Sequence, residues 1–329
     1  MGVRAAMGDP ENKSSSGSDG PGGQMDKPLI EDVSADVAPV VQEFIAEATE
    51  ANEAASISAA EESAFQAGAG FAAAAFASEE TAPYIAFENV YKAFGDVVVL
   101  EDVSFYVNPG ETLCILGRSG VGKSVSLQIL MGFLKPDRGT VLVAGQDISG
   151  LSEREMQEVR RKVTMVFQNG ALFDSITVGE NVAFPLRERG DMEEDQILQV
   201  VKGLLEMVGV AGMDGLLPSD LSTGMKRSVA IARALAAQPS AVLYDEPTTM
   251  VDPLMASLLG DLIQRLKTQM HLTSIVVTHD MRFAEKLSDR LVFLHEGTVR
   301  FFGTKEEMRT SDDPVLREFF SMDELVLPL

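Results

Sequence analysis

The sequence predicts an α/β domain, on three observations. The apolar run Thr112-Leu113-Cys114-Ile115-Leu116 leads into Gly117-Arg118-Ser119-Gly120-Val121-Gly122-Lys123-Ser124, and the apolar stretch Val125–Met131 follows: strand, glycine-rich loop, helix. Two more buried strands, Ala241–Asp245 and Thr273–Thr278, run into Glu246 and His279, with a helix-patterned segment opened by Asp252-Pro253 between them. Between Asn169 and Leu221 the spacing is helical instead, as in an insertion between two halves of an α/β core.

The first 83 residues stand apart from this pattern. They hold three basic and fifteen acidic side chains, about half of the chain's net charge of −23. From about Gly8 to Gly23 a Gly/Ser/Pro/Asp mixture has too little apolar surface to offset the entropy of ordering it. Residues 1–83 are therefore expected to be an acidic, Ala/Gly/Ser-rich, disordered tail. Within it Val40, Val41, Phe44, Ile45 and Ala48 share one helical face behind Pro39, read here as a nascent helix in that tail rather than a docking element. Gly68–Ala77 is apolar but too short for a bilayer, and no basic region precedes an apolar signal core, so a cytosolic chain is expected.

Cys114 is the single cysteine, which excludes an internal disulfide and a cysteine metal cluster within one chain; it reads as a small buried hydrophobe. The overall acidity argues against a nucleic-acid partner, and Arg160-Arg161-Lys162 reads as a solvated helix face.

In chain order the globular part, residues 84–329, opens with strand patterns at Tyr84–Val90, Val97–Leu100 and Val103–Val107, punctuated by Gly95-Asp96 and Asn108-Pro109-Gly110. Phe94 lies in a short connection there; its ring either stacks on a base or packs in the core. In the loop at 117–124, glycines let backbone N–H groups approach a polyphosphate, Lys123 adds a point charge and Ser124 a hydroxyl suited to Mg²⁺. A strand at 162–167 ends at Gln168, whose amide oxygen suits Mg²⁺ and an attacking water. The segment from Asn169 carries Ile197, Val200, Val201, Leu204, Leu205 and Val208 at helical spacing. It ends at Leu221-Ser222-Thr223-Gly224-Met225, where Ser222 and Gly224 open a helix, either as a second phosphate-holding point or as a plain cap. Asp245 and Glu246 alternate across a strand end, so one reaches a metal shell while the other polarises water. His279 at the next strand end either bonds a γ-phosphate or caps the surface, and His271 and His295 carry no assigned role.

In this order the motifs resemble the nucleotide-binding subunit of an ABC transporter over about Tyr84–Phe320. The resemblance implies a P-loop NTPase (RecA-like) core with an antiparallel β subdomain and a helical subdomain at about residues 169–235. It implies that Phe94 stacks on the base of ATP and that Gly117, Arg118, Ser119, Gly120, Val121, Gly122, Lys123 and Ser124 hold its phosphates. Ser124, Gln168 and Asp245 would hold Mg²⁺, Glu246 would be the general base, and Gln168 and His279 would assist it. Two copies would pair head to tail, with Ser222 and Gly224 acting across the dimer, seated on a membrane permease at the cytoplasmic face of the inner (plasma) membrane.

Met225, the run Asp245-Glu246-Pro247-Thr248-Thr249 and the late Asp313-Pro314-Val315-Leu316-Arg317-Glu318-Phe319 are similar to the Mla/Mkl (Mce-associated) lipid-transport ATPases, which implies a phospholipid cargo and an Mce-domain lipid-binding partner. The other readings are an importer of a small polar solute and a non-hydrolysing ATP-binding module. The latter draws on the long acidic tail and on Thr223, which stands where the family has Gly and brings a β-branched residue beside a phosphate-contacting backbone. Met250-Val251 also departs from the family's small-then-Leu pair. Neither departure removes a charge or a metal ligand, so weakened rather than abolished turnover is expected.

Overall fold

A computed structural model describes residues 28–66 and 82–325, with side chains to residue 54 and from 82 to 321. Among the described residues ten strands form two sheets. β1 (Ile85–Phe94) and β2 (Val97–Val107) pair across Gly95-Asp96, and β4 (Arg138–Val143) and β5 (Gln146–Asp147) extend them into an antiparallel sheet of order β2-β1-β4-β5. The two patterns expected at 97–100 and 103–107 are one strand, because Asn89 and Asp102, both at positive φ, take up a bulge in the pairing with β1 and are joined by a 2.7 Å hydrogen bond.

The second sheet has the order β10-β9-β3-β8-β7-β6. β3 (Thr112–Leu116), β6 (Val163–Val166), β7 (Ala241–Asp245), β8 (Thr273–Val277) and β9 (Arg290–His295) are parallel, and β10 (Thr298–Thr304) closes the β9 edge antiparallel. Every residue of β3, β7 and β8 is buried, as a parallel sheet covered on both faces requires.

Helices flank these strands: α1 (Ala38–Gln66), α2 (Lys123–Leu130), α3 (Glu153–Lys162), α4 (Val178–Arg189), α5 (Glu194–Met207), α6 (Thr223–Ala236), α7 (Pro253–Met270), α8 (Met281–Leu287), α9 (Lys305–Arg309) and α10 (Pro314–Leu325). Between β6 and β7, α4 to α6 form the helical subdomain. Thr177 and Glu180 cap α4 reciprocally, and buried Asn181 bonds Phe173 N–H at 2.8 Å and Thr177 O at 2.9 Å, holding the loop that follows Gln168. On α5, Ile197, Val200, Val201, Leu204 and Leu205 are buried, the face that the spacing marks as apolar. Cys114 is fully buried and burial pushes its thiol far up, the behaviour of a small core hydrophobe.

The tail corrects an expectation. Residues 28–66 carry a 3-10 turn, Leu29–Asp32, and the 29-residue α1, where a disordered segment was expected. Val37, Val41, Phe44, Ala48 and Asn52 are buried at spacings of three and four, in the same core cluster as α5 and α7 for the apolar four. The apolar face read as a nascent helix is a docking face instead, its few large side chains worth about 1.5–3 kcal/mol each when buried. The expected tail at 1–27 and the apolar run at 68–77 lie outside the described residues.

The two sheets are tied at Glu111 and Arg290. Arg290 pairs with Glu111, its Nη2 donating to Oε2 at 2.6 Å, and its guanidinium lies 4.1 Å from the centre of the Tyr106 ring on β2. Both charges are largely buried, so removing one leaves the other without compensation. Glu111→Ala is expected to lower unfolding stability by about 3 kcal/mol, read as a drop in the denaturant midpoint with its slope unchanged.

Candidate functional site

The loop at 117–122 runs from the end of β3 to the start of α2 and is wedged between both sheets. A Cβ on Gly117, at φ +152°, would lie 2.5 Å from Leu294 O on β9, and one on Gly122, at φ +104°, 2.5 Å from Leu100 Cδ2 and 2.8 Å from Val99 O on β2. Only glycine fits either position. Lys123, 6% exposed, donates from Nζ to Gly117 O at 2.8 Å and to Arg118 O at 3.1 Å, and lies 3.4 Å from Glu246 Oε1.

β7 and β8 are neighbours, so their ends meet beside this loop. Asp245 ends β7 and accepts from Ser124 Oγ at 2.8 Å. Burial pushes the Asp245 carboxyl up, the Ser124 hydrogen bond opposes that, and the nearby Glu246 charge adds to it. Glu246 sits at φ +47°, a strained conformation for a side chain of its size, and its N–H donates to Val277 O at 2.9 Å. Its Oε2 lies 2.7 Å from His279 Nδ1 and accepts from Thr249 Oγ1 at 3.4 Å. Lys123, Glu246 and His279 thus form one chain of contacts across the loop.

A cavity of about 590 Å³ lies over these groups. Arg118, Ser119, Gly120, Gly122, Lys123 and Ser124 line it from the loop, with Gln168, Glu246 and His279 from the strand ends. Asp245 stands behind Ser124, and Gly117 behind Lys123. Phe94 does not line it: the ring ends β1, 47% exposed, with Lys92 Nζ 5.5 Å from its centre. Val99, Val125, Thr249 and Phe319 line it without having been singled out for the site. Phe319 comes from α10, anchored by an ion pair of 2.9 Å from Arg118 to Glu318 and by a ring contact of 4.9 Å to Phe293. The run containing Phe319 was legible only as a family marker, since nothing in its spacing points to a nucleotide.

Ser222 and Gly224 do not line the cavity. Ser222 caps α6, accepting from Met225 N–H at 3.3 Å. Thr223 is the first residue of α6 and its side chain is exposed. Gly224 is buried under α7, where a Cβ would meet Met255 Cε at 3.0 Å. Chemically, the loop offers backbone N–H groups and one buried cation to a polyphosphate, and the strand ends offer two carboxylates and an imidazole to a metal and a water.

Fold and site together define a P-loop nucleoside-triphosphatase cassette. The family model "ABC transporter" matches residues 100–249. The intermembrane phospholipid transport system ATP-binding protein MlaF of Haemophilus influenzae is 41% identical over 229 residues, 70% of this chain and 87% of its own. A probable ribonucleotide transport ATP-binding protein, mkl, of Mycobacterium leprae is 38% identical over 237 residues, 72% of this chain and 68% of its own. A dimeric ATP-binding cassette in a post-hydrolysis state with ADP and Pi superposes with a TM-score of 0.63 at 32% identity, covering 67% of this chain and 98% of that one. The chain belongs to the ABC transporter family, as an ATP-binding and ATP-hydrolysing subunit of the type to which MlaF and mkl belong. That membership sets aside the non-hydrolysing module. Among the described residues no helix is long and apolar enough to cross a membrane.

At Gly122 an added methyl meets backbone in a conformation that alanine resists. Gly122→Ala is expected to weaken ATP binding by roughly 10- to 100-fold, the equivalent of about 1–3 kcal/mol of strain, with the fold kept. Titration with a fluorescent ATP analogue beside a circular dichroism spectrum checks it.

Proposed function

We propose that this chain is the ATPase of a phospholipid transporter, and that ATP binds over the 117–124 loop and is hydrolysed by a water activated at Glu246. The observation that carries the chemistry is the contact chain Lys123–Glu246–His279, 3.4 Å and 2.7 Å long, at the mouth of a glycine-built phosphate cradle. When a γ-phosphate enters, its charge takes over Lys123 and frees one Glu246 oxygen to accept a proton from water. His279 holds the other oxygen and, being 61% exposed, is free to turn towards the phosphate. Ser222 and Gly224 serve the phosphates of a second copy, which is why they stand outside this chain's own cavity, and Phe94 stacks on the base after giving up Lys92.

Mg²⁺ fits the residues present. Among the described residues no cluster of three or more His, Cys, Asp or Glu holds a metal alone, whereas Ser124 and Asp245 stand together as hard oxygen donors beside Gln168. That is the partial shell this ion takes when phosphate oxygens complete it. Bound there, it neutralises developing phosphate charge. The raised pKa of Asp245, a consequence of burial, gives a sign: as pH falls towards it, protonation competes with the ion, so the Mg²⁺ concentration for half-maximal hydrolysis should rise on acidification. A Mg²⁺ requirement that stays flat down to the pH at which the fold is lost would remove Asp245 from the shell.

The cargo assignment is supported by the 41% identity to a phospholipid transport ATPase, and it brings with it a membrane permease, an Mce-domain partner and a seat at the cytoplasmic face. The ribonucleotide in the name of mkl favours a polar solute instead. Partners pulled from solubilised membranes separate the two: a permease with an Mce-domain protein supports lipid, a soluble solute receptor supports the alternative. For the chemistry, Glu246→Gln is expected to lower phosphate release by about 10²–10⁴-fold and to accumulate an ATP-bound dimer, while Lys123→Ala loses ATP binding. Wild-type turnover in either variant would remove that residue from the mechanism.

A further inference from the structure

The segment from Pro28 to Asn52 bridges two bodies that no other described terminal segment joins. On one side it grips α5 of the helical subdomain: Ser34 N–H donates to Glu206 Oε2 at 2.5 Å, Asp36 pairs with Lys202 at 2.6 Å, and Gln238, just past α6, donates to Phe44 O at 3.0 Å. On the other side it grips the end of α7 in the catalytic core. Leu29 N–H donates to Gln269 Oε1 at 2.6 Å, Asp32 pairs with Arg265 at 2.8 Å, and Asn52 Nδ2 donates to Met270 O at 2.9 Å.

The seat on α5 is built for this segment. Gly203 lies inside α5, where glycine costs roughly 1 kcal/mol against alanine. A Cβ there would fall 1.9 Å from Val41 Cγ2, and Val41 is fully buried. The glycine is a hole and Val41 its knob. Where α7 itself faces α6, a cleft of about 450 Å³ opens, lined by Met225, Ser228, Met255 and Leu259 and bordered by Asp32 and Arg265. Near its first turn α7 touches the helical subdomain through Met255 and Gly224. The segment adds its contacts at 265–270, roughly 15–22 Å further along the helix axis at 1.5 Å per residue. Besides the seat of α6 against β6, where Arg227 and Arg233 reach the carbonyls of Phe167, Gly170 and Ala171, the helical subdomain is thus held to α7 twice, directly near its first turn and by way of the segment at 265–270.

We propose that residues 28–52 are a positioning strap, which fixes the angle at which the helical subdomain presents Ser222 and Gly224 to a second copy, through Val41 on Gly203 and through Leu29, Asp32 and Asn52 on α7. This rests on the reading of Ser222 and Gly224 as groups that act across a dimer. Loosening the strap widens the range of angles and raises the ATP concentration needed to close the pair.

The test uses the full chain with spin labels at Leu198→Cys on α5 and Gln157→Cys on α3, both exposed. The native Cys114 is buried and stays unlabelled. Gly203→Leu, which favours the helix but expels Val41, should broaden the inter-label distance distribution without nucleotide. In a Glu246→Gln background it should also raise the ATP midpoint for dimerisation about tenfold. Gly203→Ala with Val41→Ala, which removes both methyls the new Cβ would strike, should restore the narrow distribution. Asp32→Ala with Asn52→Ala releases the α7 end without touching the core of α5 and should broaden it again. A segment that only adds stability would lower the melting temperature of these variants and leave the distribution narrow, and that result overturns the strap. If the Glu246→Gln chain does not dimerise with ATP, the reading of Ser222 and Gly224 fails, and the distance distribution alone still decides whether the strap exists.

Discussion

The site depends on two places where backbone meets backbone with no room for a methyl. Gly117 lies against Leu294 O at the end of β9, and Gly122 against Val99 O on β2 of the other sheet. The loop is therefore shaped by both sheets at once, and its N–H groups are aimed before any phosphate arrives. This explains why the antiparallel sheet matters to a reaction carried out by residues of the parallel one. The Glu111–Arg290 pair, with Arg290 stacked on Tyr106, holds the same two sheets in register from the far side.

Within that frame Lys123 and Glu246 hold each other in check. A buried ammonium and a strained carboxylate 3.4 Å apart lower each other's charge cost. In the proposed mechanism a triphosphate offers Lys123 more negative charge than one carboxylate does, so binding and activation of Glu246 would be the same event, and His279, on a neighbouring strand end, would keep Glu246 oriented through that exchange.

The phosphate loop, Gln168, the Asp245-Glu246 strand end and His279 were legible because each is a polar residue at a fixed step from a buried strand, and a parallel sheet brings such ends to one edge. Phe94 was less so: sequence places it between strands, but its rotamer beside Lys92 points the ring at a cation rather than into the cavity. Phe319 was hidden for the opposite reason, since it reaches the cavity through a terminal helix docked by buried Leu316, by Val315 and Phe320 and by ion pairs of Glu318 and Asp313, and its apolar spacing points to packing, with no signal for a nucleotide. In residues 28–66 the helical face of Val40, Val41, Phe44, Ile45 and Ala48 was legible but its partner was not: an Ala- and Glu-rich composition describes the solvated side of α1, while the docking of that face on α5 and α7 carries no local signal. Thr223, expected to stand beside a phosphate-contacting backbone, has its side chain exposed on the first turn of α6, while Gly224 lies where Met255 fills the space a Cβ would need.

Gly224 and Gly203 make the same kind of statement at two ends of the helical subdomain. Each removes a Cβ so that another body can come close: α7 through Met255, and α1 through Val41. A subdomain that moved freely would gain nothing from such fits, since a glycine inside a helix weakens it and returns the loss only while the partner stays seated. Two fitted contacts on the same long helix, α7 directly and α7 by way of the segment at 28–52, favour one orientation, and departures from it cost free energy. On the proposed reading, pairing with a second copy would draw on that orientation instead of having to create it, and unseating Val41 would act on hydrolysis without touching a residue of the phosphate cradle.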